Sequence, residues 1–355
     1  LYQQIADDIL LRVRSGELKV GHKIGSQREL AERHDVSLIT VKKAISELIN
    51  KGVLYSRTGK GTYVAEGPNG VKIAQHKTIG LVLSDLKSPY FSMIVGGVEC
   101  TASEQGFAVM LSNSNGEMER EEHQIHRYMK LGVNGLIIAS MNRDYRTPNP
   151  IRHLHRKHFP YVVVSYVQDP DIYHVGTDQA KGAYLATEHL IRLGHNRIGF
   201  LAGEPGNLLG DERKQGYMNA LKANGKEYRD HDIFFSPFEG EWHDYKSGYS
   251  IGKEFAGLKD RPTAIFAYND LTALGFQEAL LEKGMRIPED VALVGFDDIE
   301  RSCYSPVTLT TVRQPTEKIG TLAMEKVMAL INHEETEVRT ILEPELVVRQ
   351  SCGAG

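Results

Sequence analysis

Between residues 78 and 297, short runs rich in Val, Ile and Leu alternate with amphipathic helical stretches. That alternation restricts the fold more than any other feature of the chain. "TIGLVLSD", "FAVMLSNS", "VNGLIIAS", "FPYVVVSY", "YHVGTD", "RIGFLAG", "DIFFSPF", "TAIFAYND" and "VALVGFDD" read as strands. "YFSMIVGGVECTASEQG", "EREEHQIHRYMKLG", "AKGAYLATEHLIRLG", "GDERKQGYMNALKANG" and "LTALGFQEALLEKG" carry helical spacing, as does the stretch around "SGYSIGKEFAG". Continuously apolar strands separated by helices imply α/β architecture, with parallel sheets covered on both faces. About ten strands exceed one comfortable doubly wound sheet, so a body of two similar lobes is expected. Ligands of such sheets bind outside the carboxyl ends of the strands. "AYNDLTALG" puts an amide and a carboxylate, Asn269 and Asp270, at one such end.

The first 65 residues differ in pattern and charge. They hold eleven Lys and Arg against seven Asp and Glu, whereas the remainder holds thirty-one against thirty-nine. Ile5, Ile9 and Val13 form one helical stripe, stopped by Gly16. Ser26 and Glu29 make a capping box ahead of Leu30 and Ala31. A third helix buries Val41, Ala44, Ile45, Leu48 and Ile49, with Ser37 as N-cap and Gly52 as C-cap. Its other face shows Thr40, Lys42 and Lys43. "VLYSRTGKGTYVA" then reads as a hairpin with a basic, glycine-containing turn. Three short helices and such a hairpin make a winged helix-turn-helix, whose third helix fits the major groove of DNA. Arg57 and Lys60 on the wing are placed to reach backbone or minor groove. A small helical domain with a solvated basic face is the alternative. Residues 66–77, "EGPNGVKIAQHK", read as a linker.

The chemistry-bearing motifs are mostly negative. "GEPGNLLG" lacks the endings of a dinucleotide or phosphate-binding loop and reads as a turn. His153, His155 and His158 have no nearby Cys and no ordered His-x-x-x-His pattern, so a solvated basic helix is expected and not a metal site. No Gly-x-Ser-x-Gly elbow or reactive cysteine setting occurs, and catalysis has no anchor. Three scattered cysteines, Cys100, Cys303 and Cys352, suggest a reducing, cytoplasmic setting. No apolar run is long enough for a membrane span, and "LYQQIADDIL" does not read as a signal peptide. What remains is a set of polar and aromatic groups at strand ends: Tyr90, Phe91, Asn113, Ser165, Tyr166, Asp178, Arg213, Trp242, Asn269 and Asp270. Sugars need this mixture, since carboxylates, amides and Arg pair with vicinal hydroxyls while aromatic faces cover C–H surfaces.

Residues 25–65, "GSQRELAERHDVSLITVKKAISELINKGVLYSRTGKGTYVA", resemble the GntR-family winged helix along their whole length. The resemblance implies DNA contacts from Arg28, Ser37, Thr40, Lys42, Lys43 and the wing residues Gly59, Lys60, Gly61 and Thr62. Leu38 stands where that family commonly has Arg, and Lys42 replaces a frequent Arg. From about 78 to 352 the chain is similar to the effector domain of LacI/GalR regulators, itself like periplasmic sugar-binding proteins. "HLIRLGHNRIGFLAG", "ERKQGYMNAL", "RPTAIFAYNDLTALGFQEALLEKGMRIPEDVALVGFDDIERSCYSPVTLTTVRQP" and "EPELVVRQS" carry the match. By that resemblance Arg213 and Asp270 hold ligand hydroxyls, Tyr90 and Phe91 supply the aromatic pair, and Trp242 lies near an aromatic that covers the ligand. Ser165 and Tyr166 stand where many members carry Asp.

The combined resemblance implies a cytoplasmic transcriptional regulator without cofactor or catalytic residues. It would bind palindromic operator DNA as a homodimer and be released by a monosaccharide. A sugar-modifying enzyme with a DNA-binding head and a regulator of a purine or other non-sugar metabolite are the alternatives. The lobes are expected at about 78–164 with 297–312, and 165–296 with 313–352.

Overall fold

The computed structural model describes residues 2–14, 17–57, 60–65, 77–140, 147–203, 206–235 and 244–354. The chain divides into two compact units, Leu1–His76 and Lys77–Gly355. The linker expected at 66–77 lies, but for Lys77, outside the described residues.

In the first unit, helices α1 (Tyr2–Arg14), α2 (Gln27–Arg33) and α3 (Leu38–Asn50) precede a hairpin of β1 (Leu54–Arg57) and β2 (Gly61–Val64). Ile5, Ile9, Leu30, Val41, Ala44, Ile45, Leu48, Leu54 and Val64 close one small core. The Ser26–Glu29 capping box forms in both directions, at 3.2 and 2.7 Å. The Ser37 hydroxyl accepts the Thr40 N–H at 3.2 Å and starts α3. The antiparallel register pairs Leu54 with Val64 and Arg57 with Gly61.

The second unit opens with β3 (Thr78–Leu83), α4 (Pro89–Glu104), β4 (Ala108–Asn113), α5 (Met118–Leu131), β5 (Gly135–Ile138), α6 (Asn149–Arg156), β6 (Tyr161–Val163) and β7 (His174–Thr177). It continues with α7 (Gln179–Arg192), β8 (Ile198–Leu201), α8 (Leu208–Ala223), β9 (Ile233–Phe234), α9 (Asp244–Ala256) and β10 (Ala264–Ala267). Then come α10 (Asp270–Glu282), β11 (Ala292–Asp297), β12 (Thr310–Arg313), α11 (Thr316–Ile331), β13 (Arg339–Leu342) and β14 (Glu345–Val347). Two six-stranded sheets result, ordered β13-β7-β6-β5-β3-β4 and β14-β12-β11-β10-β8-β9. Among the described residues every pairing in these two sheets is parallel except that of β12 with β14. Their central strands are buried on both faces, as the continuous apolar runs require.

The expected lobe boundaries differ from those found. β7 sits beside β6 in the first sheet, so 165–177 stays with the first lobe. β12 lies beside β11 in the second sheet, with Val294 opposite Thr310, so 297–312 belongs to the second lobe. Helix α11 buries Ile319, Ala323, Met324 and Val327 against β3, β5 and β6 of the first lobe. The chain therefore crosses between lobes at 177–179, 313–316 and 342–345. An apolar strand pairs equally well with either sheet, and only the packed helices decide which one it joins.

Candidate ligand site and candidate nucleic-acid interface

The carboxyl ends of β8, β10 and β11 gather a polar cluster around Arg213. Helix α8 begins at Asn207, whose side chain accepts the Leu209 N–H at 3.0 Å, and one and a half turns later Arg213 points back under the strand ends. Its Nε donates to Gln179 Oε1 at 2.9 Å and a terminal nitrogen donates to the Tyr268 carbonyl at 2.6 Å. The other terminal nitrogen reaches Asp297 Oδ1 at 3.4 Å. The guanidinium lies 3.8 Å from the Phe296 ring centre and 4.8 Å from that of Tyr268. Arg213 is thus buried, paired and stacked, which fixes the orientation of its planar donors.

Asp297 is the acceptor of this cluster. It is 8% exposed and takes a 2.7 Å hydrogen bond from Gln314 Nε2. Burial pushes its carboxyl up to about 6, while Arg213 and Gln314 pull it down and Asp244 pushes it further up. Its backbone stands at φ +118°, a region costly for any side-chain-bearing residue, and Asp298 follows at φ +57°. Such strain costs on the order of 1–3 kcal/mol and concentrates at binding and catalytic sites. Two arginines hold the turn, with Arg313 and Arg349 on the Asp298 carboxylate at 2.7 and 2.6 Å.

Asn269 caps α10 by accepting the Thr272 N–H at 2.9 Å, and its amide nitrogen donates to Asp244 Oδ2 at 2.7 Å. One side chain thus starts α10 and ties it to the start of α9. From the first lobe, Tyr90 comes close enough for the charges of Asp297 and Arg213 to act on its phenol. Burial first, then Asp297, hold that phenol up in its protonated, hydrogen-bonding form. Phe91 stands edge-on to it at 5.2 Å. Tyr268 accepts the Asn207 amide at 3.0 Å. One guanidinium, two carboxylates, several amides and aromatic faces thus meet where the lobes approach. Such a set suits an uncharged ligand rich in hydroxyls better than an anion, because Asp297 and Asp244 already balance Arg213.

Other expected residues serve differently. Asp270 was expected to grip ligand, but it is fully buried and turned inward. One of its oxygens takes the Ile299 N–H at 2.9 Å and the Ser302 hydroxyl at 2.8 Å. The other takes the Thr311 hydroxyl at 2.5 Å. Gly295 makes this possible, since a Cβ there would stand 2.2 Å from that second oxygen. Burial, then Asp297, push the Asp270 carboxyl up to about 8. Asp270 therefore ties α10 to the strand ends beneath the site. Asp178 caps α7 by accepting the Lys181 N–H at 2.9 Å, and the Tyr166 hydroxyl donates to Glu212 at 2.8 Å. Ser165 is buried, its carbonyl bonded to His174 at 2.5 Å. Asn113 pairs with Asn115 on the edge strand. Trp242 lies outside the described residues. Asp297, Asp244, Asn207, Gln179 and Gln314 were not anticipated, although the strand-end argument applied to "AYND" reaches Asp297 equally through "VGFDD".

In the first unit, Lys23, Arg28, Leu38, Lys42, Lys60, Gly61 and Thr62 line one groove between α3 and the wing. Gly61 stands at φ +116°, and a Cβ there would meet Lys23 Cε at 2.5 Å. Arg57 lies 5.4 and 5.6 Å from the Tyr55 and Tyr63 ring centres. Lys43 instead turns back over Tyr2, at 4.3 Å. Gly59 is outside the described residues. An exposed cationic groove beside a helix N-terminus provides the geometry for phosphate contacts.

Two family models match the chain. One, described as bacterial regulatory proteins of the gntR family, covers residues 1–64, and the other, a periplasmic binding protein-like domain, covers 187–352. The arabinose metabolism transcriptional repressor of Geobacillus stearothermophilus is 32% identical over 99% of this chain and 97% of its own. The HTH-type transcriptional repressor PurR of Mannheimia succiniciproducens is 28% identical over 94% of this chain and 93% of its own. Among solved structures, the transcriptional regulator CelR–cellobiose complex superposes with TM-score 0.69 at 30% identity, covering 88% of this chain and 90% of that one. A LacI family regulator of Enterococcus faecium with bound ribose gives TM-score 0.67 at 28% identity, covering 78% and 98%.

Proposed function

The chain belongs to the bacterial transcriptional repressors that join a GntR-type DNA-binding domain to a LacI-type, periplasmic-binding-protein-like body, and on that premise we propose that it is a monosaccharide-responsive repressor. Its relatives are regulators, and it is a DNA-binding regulator and not an enzyme. Among the described residues no helix is long and apolar enough to cross a membrane.

In this proposal a homodimer places two basic heads on the half-sites of a palindromic operator in the cytoplasm. A sugar enters between the lobes, where Arg213 and Asn269 donate to its hydroxyls, Asp297 accepts from them, and Tyr90 contributes its phenol. Closure of the lobes shifts the dimer and misplaces the heads. A coupling of about 1–3 kcal/mol changes operator affinity roughly 5- to 150-fold. The Arg213–Asp297 pair on its strained turn, met by Tyr90, is the observation that carries the reading. A balanced cluster of this kind favours a neutral sugar over a sugar phosphate.

L-arabinose is the first ligand to try, because relatives matching almost the whole chain are named for arabinose metabolism. Thermal-shift measurements over pentoses, hexoses, their phosphates and purines should single out a neutral monosaccharide. The same sugar should release the protein from its operator and be recovered unchanged. Stabilisation by a purine alone would replace the sugar by a non-sugar effector, and a changed sugar would replace the sensor by an enzyme.

A further inference from the structure

The first turn of α3 presents an unexpected surface. Val41 is fully buried in the core of the unit, and Thr40 is bonded to the Ser37 hydroxyl at 2.9 Å. The two remaining side chains of that turn, Leu38 and Ile39, are 43% and 79% exposed. Neither has a donor or acceptor, so neither can read the N7 and O6 of guanine or the amino groups of adenine and cytosine. The surroundings are cationic, for Leu38 shares its groove with Lys23, Arg28, Lys42 and Lys60. Apolar side chains at the tip of a helix flanked by phosphate-seeking cations have one complementary apolar partner on a major-groove edge, the 5-methyl group of thymine.

We propose that Leu38 and Ile39 are specificity-determining residues that select thymine in the operator by its methyl group. The inference rests on the DNA-binding reading above and deepens it. Lys23, Arg28, Lys42 and Lys60 hold the phosphates and set the depth of α3. Leu38 and Ile39 then cover one or two thymine methyls. A cytosine at those positions offers no methyl, and a guanine brings polar atoms that stay unpaired against the apolar tip.

The test starts with a duplex selected by the full-length protein from a randomised pool, followed by replacement of each thymine with deoxyuridine. That exchange removes the methyl and leaves the pairing edge intact. Burying one such group contributes about 0.8 kcal/mol, so each contacted thymine should lose roughly fourfold in affinity when replaced. In Leu38→Ala/Ile39→Ala the same replacements should have no effect, while uracil elsewhere in the duplex changes neither protein. Both side chains are exposed, and an unchanged melting temperature will show that the variant folds. A native protein indifferent to uracil at every position, or a loss equal in native and variant, overturns the proposal while leaving DNA binding standing. A native protein that retains no duplex even at low salt overturns this proposal and the DNA-binding reading together.

Discussion

Asp270 and Asp297 are both buried carboxylates at strand ends, yet the structure gives them opposite employment. Asp270 spends its oxygens on Ile299, Ser302 and Thr311, whereas Asp297 meets Arg213 and Gln314. The raised Asp270 carboxyl, about 8, means that the folded chain holds a proton there which the unfolded chain releases above its ordinary value of 3.8. Asp270 therefore contributes stability at low pH that is lost as pH rises toward 8. In Asp270→Asn the decline of melting temperature between pH 5 and pH 8 should be shallower, which a thermal scan against pH will read. In the proposed sugar site Asp297, at about 6, accepts a hydroxyl more strongly as the carboxylate than as the acid, so sugar affinity should weaken as pH falls below about 6. Arg213→Lys keeps a charge but loses the planar fork and its stacking on Phe296. Sugar affinity by calorimetry should fall by roughly 1.5–3 kcal/mol, with operator binding unchanged. Arg213 was singled out through the resemblance of "ERKQGYMNAL" to the regulator effector domain, because within the charged run "DERK" local pattern alone reads as a solvated helix face. The inward turn of Asp270 was not, since it depends on the missing side chain of Gly295, far along the chain.

At the scale of elements, helix pairs hold the strand ends in place. Helices α9 and α10 touch backbone to backbone, so that a Cβ on Gly275 would stand 2.0 Å from the Tyr245 carbonyl and one on Gly248 would stand 2.0 Å from that of Thr272. This close approach brings Asp244, at the start of α9, to Asn269, at the cap of α10. Gly275→Val should cost about 1–3 kcal/mol through overpacking, seen as a lowered melting temperature. Sugar affinity should fall with it, because the two helix starts are spread. The glycine in "AYNDLTALG" is therefore part of the site's frame. Its helical setting was plain from spacing, but its role was not, since close approach is a property of two helices.

Across the whole molecule, the charge division matches the structural one: a basic first unit of 76 residues and an acidic body. Lys42, exposed in the groove beside the wing, should make a phosphate contact. Lys42→Ala should weaken operator binding and reduce the salt slope of log K by about 1. An unaltered slope would move that contact to another cation. The winged head, the two-lobed α/β body and most of its elements up to residue 297 were legible in the sequence, because apolar periodicity, caps and turn residues act over a few neighbours, whereas β12, α11, β13 and β14 were not read from it. Ser26 and Ser37 cap the helices their local patterns announce. Only the tertiary structure decided that 310–313 joins the second sheet while 316–342 returns to the first, and that Asp297 and not Asp270 pairs with Arg213. Those outcomes depend on which surfaces bury one another across long separations, where one glycine or one packed helix settles a side chain's direction.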